Sequence, residues 1–240
     1  MICYLTSTAT YYPTIALLPD NGFVDKLKKD LPAVMKGVFV ASDPDDHAGM
    51  EDYAKEMRAC IEEAGFRLKS FTLLGGRNSS DAQKLVSEAD LVILAGGHVP
   101  TQNRFFCKIG LREIMQTYDG VVIGISAGTM NSADTVYAMP ELEGEAVDPG
   151  FERTLTGLGL TDINIVPHYQ YLETCMLDGM NMIHDIAHAD SMTRRLYGLP
   201  DGSYLRIENG IPMFFGKVLL MEGGNTRILS QYGGSVSPII

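Results

Sequence analysis

Residues 121–130 have the sequence Val-Val-Ile-Gly-Ile-Ser-Ala-Gly-Thr-Met, in which a short apolar run leads into the motif GxSxG. The run from Gly120 to Gly124 predicts a buried strand, and Ser126 opens a turn of helix directly after it. A serine on such a tight turn has an exposed hydroxyl, and the flanking glycines let the backbone pass closely on both sides. The start of the helix offers free N–H groups, and one of them, the amide of Ala127, can point at a developing oxyanion. The segment therefore predicts a nucleophilic serine in an α/β fold, although glycine-rich turns of this kind also bind phosphates or only pack closely.

On both sides of this motif, short apolar runs alternate with amphipathic segments, as in a parallel sheet covered by helices. Strands are predicted at 2–7, 37–41, 66–73, 91–94, 120–124 and 162–166, helices at about 50–64, 80–88 and 101–118, and a long surface excursion at 139–159. From Arg195 onward, short strands are separated by the hairpin signals Asp201-Gly202 and Asn209-Gly210. We therefore predict one domain, 1–240: a three-layer α/β fold with a mostly parallel sheet, helices on both faces and a C-terminal antiparallel β meander.

Composition excludes several classes of function. The 240 residues are 45% hydrophobic with a formal net charge of −11, so the chain folds into a globule that repels nucleic acid and anionic membrane surfaces. No apolar run reaches the roughly 18 residues that a membrane span requires, and the first residues carry no basic segment of a secretion signal. The four cysteines form no CxxC pair, which indicates reduced thiols and a cytoplasmic protein.

A nucleophilic serine needs a base, and histidine is the usual one. The five histidines are His47, His98, His168, His184 and His188. His168 is the favoured base because it follows the predicted strand Ile163–Val166, whose carboxyl end points to the same crevice as the Ser126 turn. His98 follows Gly97 at another strand end and is expected to line that crevice. His184 and His188 have the spacing of metal ligands, but the sequence specifies no third ligand, so no metal is expected. No other cofactor is expected either.

The carboxylate that would orient the base stays open on spacing alone. Four aspartates are candidates, namely Asp134, Asp148, Asp162 and Asp201. An α/β-hydrolase places its acid between serine and histidine, whereas Asp201 comes after His168.

Several segments together resemble peptidase family S51, a group of serine peptidases that includes aspartyl dipeptidases. The segments are the glycine turn Gly96-Gly97, the motif Gly124-Ile125-Ser126-Ala127-Gly128, the pair Pro167-His168, and Gly198-Leu199-Pro200-Asp201-Gly202 with the strands after it, all in the family's order. The resemblance covers nearly the whole chain. It implies a fold like that of class I glutamine amidotransferases, in which a cysteine takes the position of Ser126.

The resemblance also implies a role for each matching residue. Ser126 is then the nucleophile, His168 the general base and Asp201 the acid, with an oxyanion hole formed by the amides of Gly97 and Ala127. The glycine turn at Gly96 and the following His98 would form the pocket wall, where peptidase E-like members continue with Asn-Thr. The expected partner is a short peptide substrate, with no nucleic acid and no membrane; the sequence makes no prediction of oligomeric state.

Substrate choice is expected to depart from that of the aspartyl dipeptidases. Those enzymes carry an arginine between the catalytic histidine and the acid, whereas the segment from His168 to Thr193 contains no Lys or Arg. An acidic side chain buried without a cation costs several kcal/mol. Two other functions remain open: a non-catalytic binding or regulatory domain on the same scaffold, and an esterase whose acid would precede His168.

Overall fold

The computed structural model describes residues 1–10 and 16–239, and an eight-stranded sheet forms the centre of that part of the chain. From one edge to the other, its strands are β16 (Ser235–Val236), β13 (Ile211–Phe215), β12 (Tyr204–Glu208), β1 (Ile2–Thr6), β5 (Val121–Ile125), β4 (Leu91–Leu94), β2 (Val34–Val40) and β3 (Arg67–Leu74). The five strands from β1 to β3 pair in parallel, and β12, β13 and β16 continue the sheet antiparallel. The predicted mostly parallel sheet is confirmed.

Helices cover both faces of this sheet. The helices of the first half are α1 (Phe23–Asp30), α2 (His47–Glu63), α3 (Ala82–Ser87), α4 (Val99–Lys108) and α5 (Leu111–Met115). Successive strand residues point to opposite faces, so Leu5 packs in the cluster that contains Phe105 of α4, whereas Tyr4 packs in the cluster that contains Phe23 of α1 and Met57 of α2. The three-layer α/β architecture follows from this alternation.

A second sheet of four strands lies on the α3–α5 side. Its order is β15 (Asn225–Ser230), β14 (Val218–Glu222), β11 (Leu196–Gly198) and β8 (Ile165–Val166), with β11 and β8 parallel. The predicted antiparallel strand run is present, but its strands alternate between the two sheets. The reason is that β12 occupies the free edge of β1, with Thr6 opposite Tyr204. The strand before His168 therefore pairs with β11 in the second sheet, which corrects the expectation of one parallel sheet that holds both this strand and the Ser126 strand.

The remaining short elements connect these layers. They are α6 (Ala127–Met130), β6 (Thr135–Tyr137), β7 (Thr154–Thr156), α7 (Tyr169–Leu172), β9 (Met176–Leu177), β10 (Met180–Asn181), the π-helical stretch Met182–Ala187, α8 (His188–Asp190), and 3-10 turns at Asp20–Gly22 and Gly76–Asp81. The predicted helix 101–118 is two helices, because Gly110 adopts a φ of 63° between α4 and α5. The excursion 139–159 ends in β7, which pairs with β6 and makes most of the excursion the loop of a hairpin.

No helix among residues 1–10 and 16–239 is long and apolar enough to cross a membrane.

Candidate active site

Ser126 lies at the sharp turn between β5 and α6. Its backbone has φ 48° and ψ −106°, a conformation that costs a non-glycine residue energy and that recurs at nucleophilic serines. The glycines of the motif are required by close packing. A Cβ on Gly128 would lie 2.3 Å from the carbonyl oxygen of Leu94, and one on Gly124 would lie 3.0 Å from the backbone of Thr129. The motif thus allows α6 to pack directly against β4 and presents the serine above that contact.

The predicted base and one of the four candidate acids are in contact. His168 follows β8 and Asp201 follows β11, and because these strands are parallel neighbours their carboxyl ends lie side by side. The Nδ1 of His168 is 2.8 Å from Oδ1 of Asp201. A carboxylate only accepts hydrogen bonds, so Nδ1 carries the proton and Nε2 of the neutral ring has the free lone pair. Asp201, the acid hydrogen-bonded to His168, follows this histidine in the chain. In an α/β-hydrolase esterase the acid would precede the histidine.

Two further residues hold this pair, and the sequence analysis missed both. The hydroxyl of Ser7, the residue after β1, donates to Oδ1 of Asp201 at 2.7 Å and accepts from the backbone N–H of His168 at 2.7 Å. The amide of Gln170 donates to Oδ2 of Asp201 at 2.7 Å and accepts from the Asp201 backbone N–H at 3.0 Å. A serine after a strand and a glutamine in a short helix have no distinctive pattern. The position of Ser7 at the carboxyl end of a parallel strand was the only available signal.

These contacts favour the ionised form of Asp201. Burial alone would raise the pKa of its carboxyl group, but the hydrogen bonds from His168, Ser7 and Gln170 outweigh burial and hold that pKa below its ordinary value. The carboxylate is therefore charged at neutral pH.

The glycine turn after β4 borders the same site. A Cβ on Gly97 would lie 2.4 Å from Oγ of Ser42, so the turn passes the end of β2 at a distance that only glycine allows. Gly96 contacts the hydroxyl of Tyr53. Burial raises the pKa of this hydroxyl, and its hydrogen bond with the Gly96 backbone opposes that rise. Across the described ranges, neither the amide of Gly97 nor that of Ala127 has a hydrogen-bond acceptor. Both donors are free for an anionic group.

His98 is held by the excursion between β6 and β7. Its Nε2 is 2.9 Å from Oε1 of Glu145, and its Nδ1 is 2.8 Å from Oγ1 of Thr101. Oε2 of Glu145 accepts two backbone N–H groups of the excursion, and these bonds together with His98 outweigh burial and hold the pKa of Glu145 below its ordinary value. Both ring nitrogens of His98 are therefore occupied, so the side chain has no free nitrogen for proton transfer.

The other predicted residues lie as follows. Ser126 donates its backbone N–H to the carbonyl of Thr6, the residue before Ser7, which brings the serine turn next to the residue that binds His168. Within the described residues, the Ser126 side chain makes no hydrogen bond to His168; such contacts are often long without substrate. Asp134 binds Arg112, and Asp148 accepts from the backbone of Gly150. No group of three or more His, Cys, Asp or Glu side chains in the described part of the chain is arranged to hold a metal ion.

Comparison with known proteins adds three findings. The model of Peptidase family S51 matches residues 23–211. A crystal structure of a peptidase from an acI-B1 Actinobacterium superposes with a TM-score of 0.66 at 19% identity, covering 98% of this chain and 96% of that one. A crystal structure of a putative peptidase E protein from Listeria monocytogenes EGD-e superposes with a TM-score of 0.58 at 14% identity, covering 95% of this chain and 98% of that one. At these identities the two structures support the fold alone. The search of curated proteins gave no match.

Proposed function

Because the chain belongs to peptidase family S51, we propose that it is a serine peptidase that hydrolyses peptide bonds in short peptides. Ser126 attacks the scissile carbonyl and forms an acyl-enzyme. Nε2 of His168 takes the hydroxyl proton in this step and donates it to the leaving amine. Water then enters, and the same nitrogen activates it to release the acyl group and regenerate Ser126.

The observation that carries this proposal is the hydrogen bond between His168 and Asp201. It supports Asp201 among the four acids that spacing left open, and it favours the tautomer that leaves Nε2 free to accept a proton. The imidazolium that forms when Ser126 attacks is stabilised by the adjacent carboxylate. A binding module derived from this scaffold has no need of such a pair.

The amides of Gly97 and Ala127 are the proposed oxyanion donors. Neither amide has an acceptor within the described residues. Ala127 directly follows Ser126, and Gly97 lies between Gly96 and His98 of the proposed pocket wall. Removing one such donor in a hydrolase costs roughly a hundredfold to a thousandfold in turnover.

We further propose that the enzyme does not select aspartate. The segment from His168 to Thr193 supplies no Lys or Arg, and two arginines from other elements already have partners: Arg153 binds Asp190 and Arg195 binds Glu222. In a panel of dipeptides that differ only in the first residue, we expect less than a tenfold preference for Asp over Asn in kcat/KM. A larger preference, equivalent to more than about 1.4 kcal/mol, would contradict this assignment.

The proposed compartment is the cytoplasm. Cys3, Cys60, Cys107 and Cys175 are all free thiols, which suits a reducing environment.

Hydrolysis of a peptide panel by the wild type and by Ser126→Ala tests the proposed function. We expect the variant to lose turnover by several orders of magnitude. Ser203→Ala is the matched control, because Ser203 is 1% exposed and its hydroxyl has no hydrogen-bond partner among the described residues. Equal turnover by the wild type and Ser126→Ala would refute the serine mechanism.

A further inference from the structure

The hydroxyl of Ser7 links two parts of His168. It binds the backbone N–H directly, and it reaches the imidazole through the carboxylate of Asp201. It is fully buried, with 0% of its surface exposed, at the end of β1. Its oxygen is 2.7 Å from the carboxylate of Asp201 and 2.7 Å from the backbone nitrogen of His168, and that carboxylate oxygen is in turn 2.8 Å from the His168 ring. These three contacts among His168, Asp201 and Ser7 form a closed ring.

The direction of each hydrogen bond in this ring is fixed. A carboxylate accepts only, so the single proton of the Ser7 hydroxyl points to Asp201. The backbone N–H of His168 donates only, so it must point to the Ser7 oxygen. Alanine at position 7 would leave the N–H without its acceptor and would remove one of the donors to Asp201.

The backbone of His168 needs this support. It has φ 52° and ψ 32°, in the left-handed region that is sparsely populated by residues with a Cβ. His168 also starts α7 without a side-chain cap. Because the ring direction depends on the backbone angles, an anchor on the N–H of His168 sets where Nε2 points.

We propose that Ser7 is a positioning residue of this hydrolase, which holds His168 and Asp201 in one orientation relative to Ser126; this inference rests on the proposed function. The link from Ser7 to the nucleophile is short, one peptide bond and one hydrogen bond. Thr6, which accepts the backbone N–H of Ser126 at 3.2 Å, is the residue directly before Ser7. The nucleophile and the base are thus both held by two consecutive residues, Thr6 at the end of β1 and Ser7 directly after it.

The test compares Ser7→Ala and Ser7→Cys with the wild type, using Ser203→Ala as the matched buried-serine control. Cysteine keeps the volume but is a weak donor, so it serves if alanine prevents folding. The first measurement is the rate at which a fluorophosphonate labels Ser126, resolved into the maximal rate and the half-saturating probe concentration. We expect both Ser7 variants to lose about tenfold to a hundredfold in the maximal rate with little change in half-saturation, because misplacing a catalytic group by about 1 Å has an effect of this size. Ser203→Ala should match the wild type.

The second measurement is the far-downfield proton NMR signal of His168 Nδ1–H, which reports its hydrogen bond to Asp201 whatever the protein's activity. It should be present in the wild type and in Ser203→Ala, and weakened or lost in the Ser7 variants. Folded Ser7 variants with wild-type labelling rates and an unchanged signal would overturn the inference. If the wild type is not labelled at all, the proposed function fails, and the NMR signal still decides whether Ser7 holds the pair.

Discussion

Replacing Asp201 with asparagine keeps the shape of the side chain and removes its charge. The carboxylate accepts three hydrogen bonds, from His168, Ser7 and Gln170, whereas an asparagine side chain has one accepting oxygen and one donating NH2 group. If the oxygen faces His168 and Ser7, the NH2 group meets the NH2 group of Gln170. In the wild type the oxygen of Gln170 accepts the backbone N–H of residue 201. Turning the Gln170 amide over would place its NH2 group against that N–H instead. Both of these arrangements leave one donor facing another donor.

The opposite orientation harms catalysis in a different way. With the new NH2 group facing His168, Nδ1 must accept, and the ring proton moves to Nε2, where the base needs a lone pair. In hydrolases with this kind of triad, the same substitution lowers kcat by about 10⁴, or about 5.5 kcal/mol of activation free energy. We expect a loss of that order for Asp201→Asn, while a cooperative thermal unfolding transition shows that the variant is folded. Asp162→Asn, at an exposed aspartate outside the site, is the control. A kcat within tenfold of the wild type would refute the role of Asp201.

The same variant gives a pH dependence of stability. The folded-state pKa of Asp201 is lowered, so its ionised form stabilises the fold above the pKa of the unfolded chain, about 3.9, and this contribution disappears as the pH falls through the folded value. The free energy of unfolding of the wild type minus that of Asp201→Asn should therefore be largest at neutral pH and shrink below about pH 4. Urea unfolding over a pH series measures it, and a difference that grows in acid would contradict the cause assigned to the lowered pKa.

Three further outcomes are expected. Gly128→Ala should lose about 1–3 kcal/mol of unfolding free energy in urea titration because its Cβ meets the backbone of β4, whereas Gly75→Ala, whose Cβ has 3.9 Å to its nearest neighbour, should be near neutral; equal losses would refute the packing argument. Iodoacetamide should modify the exposed Cys107 without loss of peptidase activity and leave Cys3 unmodified until unfolding, since burial raises the pKa of Cys3 to about 12; mass spectrometry after a timed reaction checks both. Glu145→Ala should let a glutamate-specific protease cut the excursion at least about tenfold faster, because hydrogen bonds to a charged group that close the loop are lost; an unchanged rate would show that these bonds do not hold it.

Local chemistry explains what the sequence predicted correctly. The turn at Ser126 is encoded within ten residues, because its glycines pack against their immediate neighbours in the fold and its apolar run must be buried. The parallel core is similarly evident from alternating apolar runs. The break at Gly110 was missed because a single glycine within a helical pattern is often tolerated, and only the direction of α5 shows that the chain turns there.

Long-range strand pairing explains what it did not predict. Spacing left four aspartates open, and only the family resemblance named Asp201. Its contact with His168 depends on β8 pairing with β11, two strands of two and three residues that are 31 positions apart at their first residues. From the residues alone, nothing distinguishes that pairing from an extension of the central sheet. Ser7 and Gln170 act through Asp201, so they become visible only after the pairing is known.

The most direct test of the account is to identify the residue that a fluorophosphonate modifies. The wild-type protein is incubated with the probe, digested, and analysed by mass spectrometry, with Ser126→Ala and His168→Ala treated in parallel. We expect one adduct on the peptide that contains Ser126, absent from the serine variant and formed far more slowly in the histidine variant. A folded wild-type protein that forms no adduct, or one that carries the adduct on another residue, would contradict it.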